Sequence, residues 1–169
     1  MNWLRWFKIK NIYFINGPNL NFLGIREIKQ YGSTSYDELK NLVNSEAKKF
    51  KIKAVFFQSN IEGEIVNYIQ NLINNENSWI VINPGAYTHT SIALRDAFLG
   101  VEIPFIEEHI SNIYSREEFR KKSFLSPLYA ARQIASLKFD EVSGRKFLFP
   151  TAEVILSNIV KDKIIDQNH

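Results

Sequence analysis

The chain has no cysteine among its 169 residues. This excludes a disulfide framework, a thiol nucleophile and a cysteine-ligated metal, and the composition fits a reducing, cytoplasmic compartment. No apolar run is long enough to cross a membrane, and the basic, aromatic residues 1–10 lack the apolar core of a signal peptide. We expect residues 1–10 to be an N-terminal extension that packs on the domain or leads into the first strand, more readily than a membrane-surface segment.

An excess of one charge is also missing. The chain has 21 lysines and arginines against 18 aspartates and glutamates, a formal net charge of +3. Its basic stretches are short and mixed with apolar residues, which favours solvated helix faces over a nucleic-acid surface. The sequence also lacks glycine-rich phosphate cradles, the hydrolase motif G-x-S-x-G and a histidine pair with metal-ligand spacing. We therefore expect no metal, no nucleotide cofactor and no nucleic-acid partner.

Strand and helix patterns alternate along the chain. Short β-branched and aromatic runs predict strands at 11–16, 53–58, 79–83 and 104–111. Amphipathic spacing predicts helices within 35–50, 62–75, 91–100 and 115–124, the first and last opened by S-x-x-E capping boxes. The apolar side chains at helical spacing are Leu39, Leu42, Val43 and Phe50 in the first helix and Ile65, Ile69, Leu72 and Ile73 in the second. Apolar strands that alternate with helices indicate an α/β fold with a parallel sheet covered on both faces. We predict one flavodoxin-like, doubly wound domain over 1–169, with strand order 2-1-3-4-5.

This architecture predicts where a ligand binds. In an open parallel sheet the crevice lies beyond the carboxyl ends of the strands, where the winding reverses. Here it falls between strands 1 and 3, with strand 4 alongside. These strands are followed by the loops 17–32, 84–91 and 109–115, which are the loops richest in polar side chains in the sequence.

A candidate acid–base pair ends the fourth strand. The period of a strand puts Glu107 and His109 on one face, where the carboxylate can fix the tautomer of the imidazole and support its charged form. Such a pair suits a general acid or base near neutral pH. A simple strand-ending role for His109 is the alternative.

The loop and helix after strand 3 offer two further candidates. His89 lies at the predicted helix start, and Asp96 follows two turns later on roughly the same face. Free main-chain N–H groups at a helix start favour a ligand oxygen. A capping role for His89 and a surface salt bridge for Asp96 remain open.

Two arginines and a tyrosine complete the candidates. Arg116 and Arg120 are four residues apart on the last predicted helix and suit a carboxylate, although a solvated face fits equally. The loop after strand 1 holds Arg26 and Tyr31. Lowering a tyrosine pKa from about 10 to about 7 requires roughly 4 kcal/mol, part of which a guanidinium in a dry pocket could supply. Tyr31 as a packed aromatic fits the sequence as well as Tyr31 as a base.

Taken together, four stretches resemble one family, the type II 3-dehydroquinate dehydratases, or type II dehydroquinases. They read INGPNLNFLGIRE…YG, QSN…GE, INPGAYTHTSIALRDA and P-x-IE-x-HISN…REEFR…S-x-LSP, between about residue 11 and Pro127. The resemblance implies a flavodoxin-like subunit, a dodecamer built as a tetramer of trimers, and no cofactor. It also implies anti elimination of water from 3-dehydroquinate through an enolate, as a lyase of the shikimate pathway.

The resemblance also implies residue roles. Tyr31 would take the proton next to the ketone, Arg26 would hold it as phenolate, and Asn19 would position a water at the enolate oxygen. His109, held by Glu107, would protonate the leaving hydroxyl. The residues that would bind substrate are Asn83, His89, Ile110, Ser111 and Arg120. Arg116 would lie next to the loop after strand 1, which would act as a lid, and Asp96 would come from a neighbouring subunit.

The chain departs from the family pattern at several positions. Ile28 replaces a usual proline, Ile61 a usual histidine, and Glu108 a usually apolar residue. Beyond Pro127, residues 128–169 lack the family's glycine-rich stretch and form a divergent C-terminal region. The alternative function is a non-catalytic flavodoxin-like protein that binds a small anion or a partner; a flavin or nucleotide module on the same fold is a third hypothesis.

Overall fold

Five parallel strands form one sheet in the order β2-β1-β3-β4-β5, so the predicted flavodoxin-like order is confirmed. The computed structural model describes residues 9–25, 34–110 and 113–128, and the backbone of 131–134. Three of the predicted site residues, Arg26, Tyr31 and Ser111, lie outside the described residues. So do residues 1–8 and all of the divergent C-terminal region except residue 128 itself and a short strand.

The strands and helices alternate as expected. The strands are β1 Asn11–Asn16, β2 Lys53–Gln58, β3 Ser78–Asn83, β4 Phe105–Glu108 and β5 Ala131–Ile134. The α-helices are α1 Tyr36–Lys49, α2 Glu62–Gln70 and α3 Ile92–Val101. Short 3-10 helices occupy Leu20–Phe22, Gly85–His89, Ile113–Ser115 and Glu118–Arg120.

The predicted capping box opens α1. The Ser35 hydroxyl accepts a hydrogen bond from the Glu38 main-chain N–H at 3.2 Å, and the Glu38 carboxylate accepts one from the Ser35 N–H at 2.7 Å. Leu39 and Val43 are buried one turn apart. The expectation that Leu42 joins this stripe is wrong: its side chain is 58% exposed, because it falls beside the 3.6-residue stripe that faces the sheet.

The second helix is shorter than predicted. It ends at Gln70, and turns follow it. Ile65, Ile69 and Leu72 are buried as expected, but Ile73 is 51% exposed. Because the helix has already ended, helical spacing no longer decides which way Ile73 points.

Each face of the sheet has its own apolar core. One face packs Phe14 and Val81 against α1. The other packs Ile15 and Ile82 against α2 and α3, where Phe98 stacks on Phe105 with ring centroids 4.0 Å apart. Both cores leave the carboxyl ends of the strands uncovered by a helix, and the polar loops lie there.

The predicted helix over 115–124 is wrong. The chain forms two separate 3-10 helices, each with its own i→i−3 hydrogen bond: Arg116 N–H to Ile113 O in the first and Arg120 N–H to Glu117 O in the second. The S-x-x-E pattern does not cap an α-helix there. The charged run has one large apolar side chain, Phe119, which is 71% exposed, so an α-helix would have no apolar stripe to bury.

Within the described ranges, no helix is both long enough and apolar enough to cross a membrane.

Candidate active site

The predicted pair at the end of β4 is present and buried. His109 Nε2 lies 2.8 Å from Glu107 Oε1, and the side chains are 4% and 0% exposed. β4 ends at Glu108, so His109 follows the strand directly, at its carboxyl end. The pair therefore occupies the edge of the sheet where a crevice was predicted.

Two serines of the S-x-LSP stretch, to which the sequence assigned no role, also contact Glu107. The Ser123 hydroxyl lies 2.8 Å from Oε1 and 2.9 Å from Oε2, and the Ser126 hydroxyl lies 2.8 Å from Oε2. Burial raises the pKa of Glu107, but the hydrogen bond and charge of His109 and the bonds from both serines outweigh it and hold this pKa below its usual range. Glu107 is therefore an ionised acceptor at neutral pH.

His89 lies before α3 and does not begin it. It ends the 3-10 helix Gly85–His89, while Ser91 caps α3 by accepting the Leu94 N–H at 2.9 Å. The capping role considered for His89 is thus filled by Ser91. His89 Nδ1 instead lies 2.7 Å from the main-chain oxygen of Lys122, and its Nε2 is buried without a hydrogen-bond partner.

Three of the predicted site residues affect the pKa of His89 through their charges. Burial lowers the pKa of His89, and the charges of Arg116, His109 and Arg120 lower it further, against the opposing bond to Lys122 O. Arg116 is half-buried and Arg120 is exposed. The charges of the two arginines therefore act on the same imidazole, although no α-helix joins them.

Asn83 and Asn19 are held by the loops around the crevice. Asn83 ends β3, is 4% exposed, and accepts the Gly85 N–H through Oδ1 at 3.2 Å. Its main-chain oxygen accepts the Gly17 N–H at 2.8 Å. Asn19 adopts the left-handed conformation with φ 67°, and its N–H donates to Asn60 Oδ1 at 2.9 Å.

Asn60 joins three loops at one point. Its Oδ1 accepts hydrogen bonds from Asn19 N–H and, at 3.2 Å, from Gln58 Nε2. Its main-chain oxygen accepts the Tyr87 hydroxyl at 2.8 Å. The loops after β1, β2 and β3 are thereby linked, and sequence analysis had assigned Asn60 no such role.

Asp96 and Ile110 differ from the other candidates. Asp96 is exposed on α3, and since His89 precedes the helix, the expectation that they share a helical face is wrong. Exposed Ile92 and Leu99 flank Asp96 on the same outer side of α3. The Ile110 side chain packs against the apolar core on the α1 face.

The described residues contain no group of three or more His, Cys, Asp or Glu side chains arranged to hold a metal ion.

Comparisons with known proteins agree with one another. The family model described as dehydroquinase class II matches residues 10–143. The chain is 53% identical over 119 residues to a 3-dehydroquinate dehydratase of Caldicellulosiruptor saccharolyticus, covering 70% of this chain and 82% of that protein. It is 55% identical over 118 residues to one of Buchnera aphidicola, covering 70% and 76%. The crystal structure of a type II dehydroquinase from Propionibacterium acnes superposes with a TM-score of 0.78 at 34% identity, covering 92% of this chain and 99% of that one.

Proposed function

The chain belongs to the class II dehydroquinase family, and on that premise we propose that it dehydrates 3-dehydroquinate to 3-dehydroshikimate as a hydro-lyase of the shikimate pathway. The reaction breaks a C–H bond next to the ketone and then a C–O bond, and it releases water and a conjugated enone. The observation that carries the proposal is the buried Glu107–His109 pair at the carboxyl end of β4.

His109 is the general acid in this proposal. Glu107 accepts the Nε2–H of His109, which holds the ring in one orientation and leaves Nδ1 free to face the substrate. The charged ring gives its other proton to the departing hydroxyl, which leaves as water. Tyr31 is the base that removes the proton next to the ketone, with Arg26 supporting its phenolate and Asn19 holding a water at the enolate oxygen.

The substrate is a polyhydroxylated carboxylate, and the crevice offers matching groups. Arg120 binds its carboxylate, and Arg116 is a second cation for substrate binding. Asn83, the unpartnered Nε2 of His89, and the main chain at Ile110 and Ser111 bind hydroxyls. Buried polar groups of this kind bind a ligand more tightly when it forms hydrogen bonds with them, and they disfavour a ligand that leaves them unpaired.

A homo-oligomer belongs to the same proposal. The exposure of Asp96 between Ile92 and Leu99 supports a role for Asp96 in the site of a neighbouring subunit. A dodecamer and a cytoplasmic location stay predictions. Size-exclusion chromatography with light scattering would measure the assembly, and an active monomer would contradict a shared site.

The proposed activity is tested by ultraviolet absorbance of the enone during incubation with 3-dehydroquinate. Wild-type protein should produce the signal, and Tyr31→Phe and His109→Ala should lose about a hundredfold or more of kcat, as expected for removal of a general acid or base. Tyr68→Phe is the matched control, because its ring stacks on Phe57 and packs against the apolar core on the α2 and α3 side of the sheet. Folded wild-type protein without a signal would overturn the proposal.

A further inference from the structure

The hydroxyl of Ser123 can only donate to Glu107. A serine hydroxyl has one hydrogen and two acceptor lone pairs. Ser123 Oγ accepts the main-chain N–H groups of Leu125 at 3.0 Å and Ser126 at 3.1 Å. These bonds use its lone pairs, so the remaining hydrogen points to the carboxylate 2.8–2.9 Å away.

The carboxylate of Glu107 therefore meets a set of donors. Ser123 reaches both of its oxygens, Ser126 donates to Oε2 and His109 Nε2 donates to Oε1. A protonated Glu107 would need His109 Nε2 or the Ser126 hydroxyl to change from donor to acceptor, because Ser123 cannot accept. Hydrogen bonds to the charged form are also what holds the pKa of a buried carboxyl low.

The segment that carries both serines is itself held on two sides. The Phe124 N–H donates to Thr88 O at 3.0 Å, and Arg95 Nη1 donates to Phe124 O at 2.7 Å. Ser123 is 7% exposed. The two hydroxyls are thus built into the wall of the site and are not mobile surface groups.

We propose that Ser123 and Ser126 are positioning residues for the acid step, which keep Glu107 ionised and thereby fix the proton of His109 on Nε2. This inference rests on the proposed function. With Nε2–H committed to Glu107, Nδ1 is the nitrogen that delivers a proton to the leaving hydroxyl. A neutral Glu107 could donate to Nε2 instead, which would move the imidazole proton to Nδ1 and remove the support for the charged ring.

Loss of these donors should slow the second half of the reaction and leave substrate binding unchanged. In an elimination through an enolate, a slow acid step lets the enolate take a proton back and return to substrate. In deuterium oxide, the base exchanges the proton that it has removed for a solvent deuteron and returns that deuteron to the enolate. Recovered 3-dehydroquinate should then carry deuterium next to the ketone, which a general loss of structure would not cause.

The experiment compares wild type, Ser123→Ala, Ser126→Ala and Ser126→Thr, with Ser45→Ala as control. Ser45 is an exposed serine on α1 that bonds only to its own helix at Leu42 O. Steady-state kinetics, proton NMR of recovered substrate in deuterium oxide, and thermal melting are measured for each. The alanine variants should lose about ten- to a hundredfold in kcat, the range typical for an orienting partner of a reactive group. Their KM should stay within about twofold, and deuterium should accumulate in substrate faster than in enzyme-free samples.

Ser126→Thr keeps a hydroxyl and should recover most of kcat, and Ser45→Ala should match wild type. Unchanged kcat in both alanine variants would overturn the inference. So would a fall in kcat with raised KM and no deuterium, because that is the pattern of a structural defect. If Ser123→Ala melts near the assay temperature, the kinetics and deuterium incorporation of the milder variant Ser126→Ala test the inference. An inactive wild type would instead overturn the proposed function, and the positioning role would fall with it.

Discussion

His89 Nδ1 lies 2.7 Å from the main-chain oxygen of Lys122, which fixes the tautomer of this histidine. A carbonyl oxygen only accepts, so Nδ1 carries the hydrogen and Nε2 of the neutral ring is an acceptor. Nε2 is buried and has no hydrogen-bond partner. A ligand hydroxyl that donates to Nε2 would satisfy it, which makes His89 a receptor for a hydroxyl and not for a carboxylate.

Replacing His89 with asparagine should therefore weaken binding. Asn can still donate to Lys122 O, but it has no atom at the position of Nε2. Loss of one hydrogen bond costs about 0.5–1.5 kcal/mol, so KM should rise about two- to twelvefold with a smaller change in kcat. Steady-state kinetics measure both constants, and an unchanged KM would show that Nε2 does not contact substrate.

The same contact should make KM depend on pH. Burial and the nearby charges lower the pKa of His89, so the ring stays neutral at neutral pH and becomes protonated only below its ordinary pKa. A protonated Nε2 cannot accept. KM of the wild type should rise as the pH falls below the ordinary histidine pKa of about 6.5, whereas KM of His89→Asn should lack this component. Parallel KM profiles for the two proteins would contradict the assignment.

Glu108 should lower the stability of the fold at neutral pH. It is 2% exposed, its Oε1 has no hydrogen-bond partner among the described residues, and burial raises its pKa well above the usual value. Burial of an unsatisfied polar group costs about 1–3 kcal/mol in protein mutants. Glu108→Met, which has a similar volume and no charge, should raise the free energy of unfolding by about that amount, measured in urea. A less stable Met variant would show that the carboxyl has a partner in the assembled protein.

Glu108 should also give unfolding a recognisable pH dependence. Because its pKa is raised in the folded state, the folded chain retains a proton that the unfolded chain releases above about pH 4.5. The unfolded state then binds fewer protons, so stability falls as the pH rises from that value toward the folded pKa. Glu108→Gln does not titrate and should lose this component, whereas identical slopes in both proteins would argue against a raised pKa.

Gly17 should tolerate no side chain. A Cβ at this position would lie 2.3 Å from Pro84 O and 2.6 Å from Pro84 C, where the loops after β1 and β3 touch. Gly17→Ala should therefore cost about 1–3 kcal/mol of stability and displace Asn83, with a loss of activity. Gly63→Ala is the matched control: nothing lies within 4 Å of its added Cβ, and alanine in a helix should stabilise by about 0.5–1 kcal/mol. Equal melting temperatures for the two variants would contradict the close approach.

Asn60 should position Asn19 through its side-chain oxygen. Asn60→Ala leaves the Asn19 N–H without its acceptor, so the left-handed turn at Asn19 should loosen and kcat should fall about tenfold, equal to about 1.4 kcal/mol. Asn60→Asp keeps an oxygen at that point and should retain more of kcat. If aspartate and alanine reduce kcat equally, the hydrogen bond to Asn19 is not what matters.

Many structural features of this protein can be predicted from local patterns in its sequence. Continuous apolar runs determined the bounds of β1 and β2, and Ser35 with Glu38 determined where α1 begins. The two-residue period of a strand was enough to place His109 beside Glu107. These features need only neighbours within a few residues, which is why a sequence can reveal them.

Other features exist only because distant segments pack together. Ser123 meets Glu107 across 16 residues, and Lys122 meets His89 across 33. No period or motif encodes such contacts, since they depend on where the chain after β4 crosses the ends of the strands. The path of this segment also explains why the capping box at 115–118 does not begin an α-helix. A charged segment that crosses polar loops has no apolar stripe to bury, so an α-helix would add little stability there. Local hydrogen bonding and periodicity thus determined the sheet and the Glu107–His109 pair, and only tertiary packing decided which further groups keep Glu107 ionised.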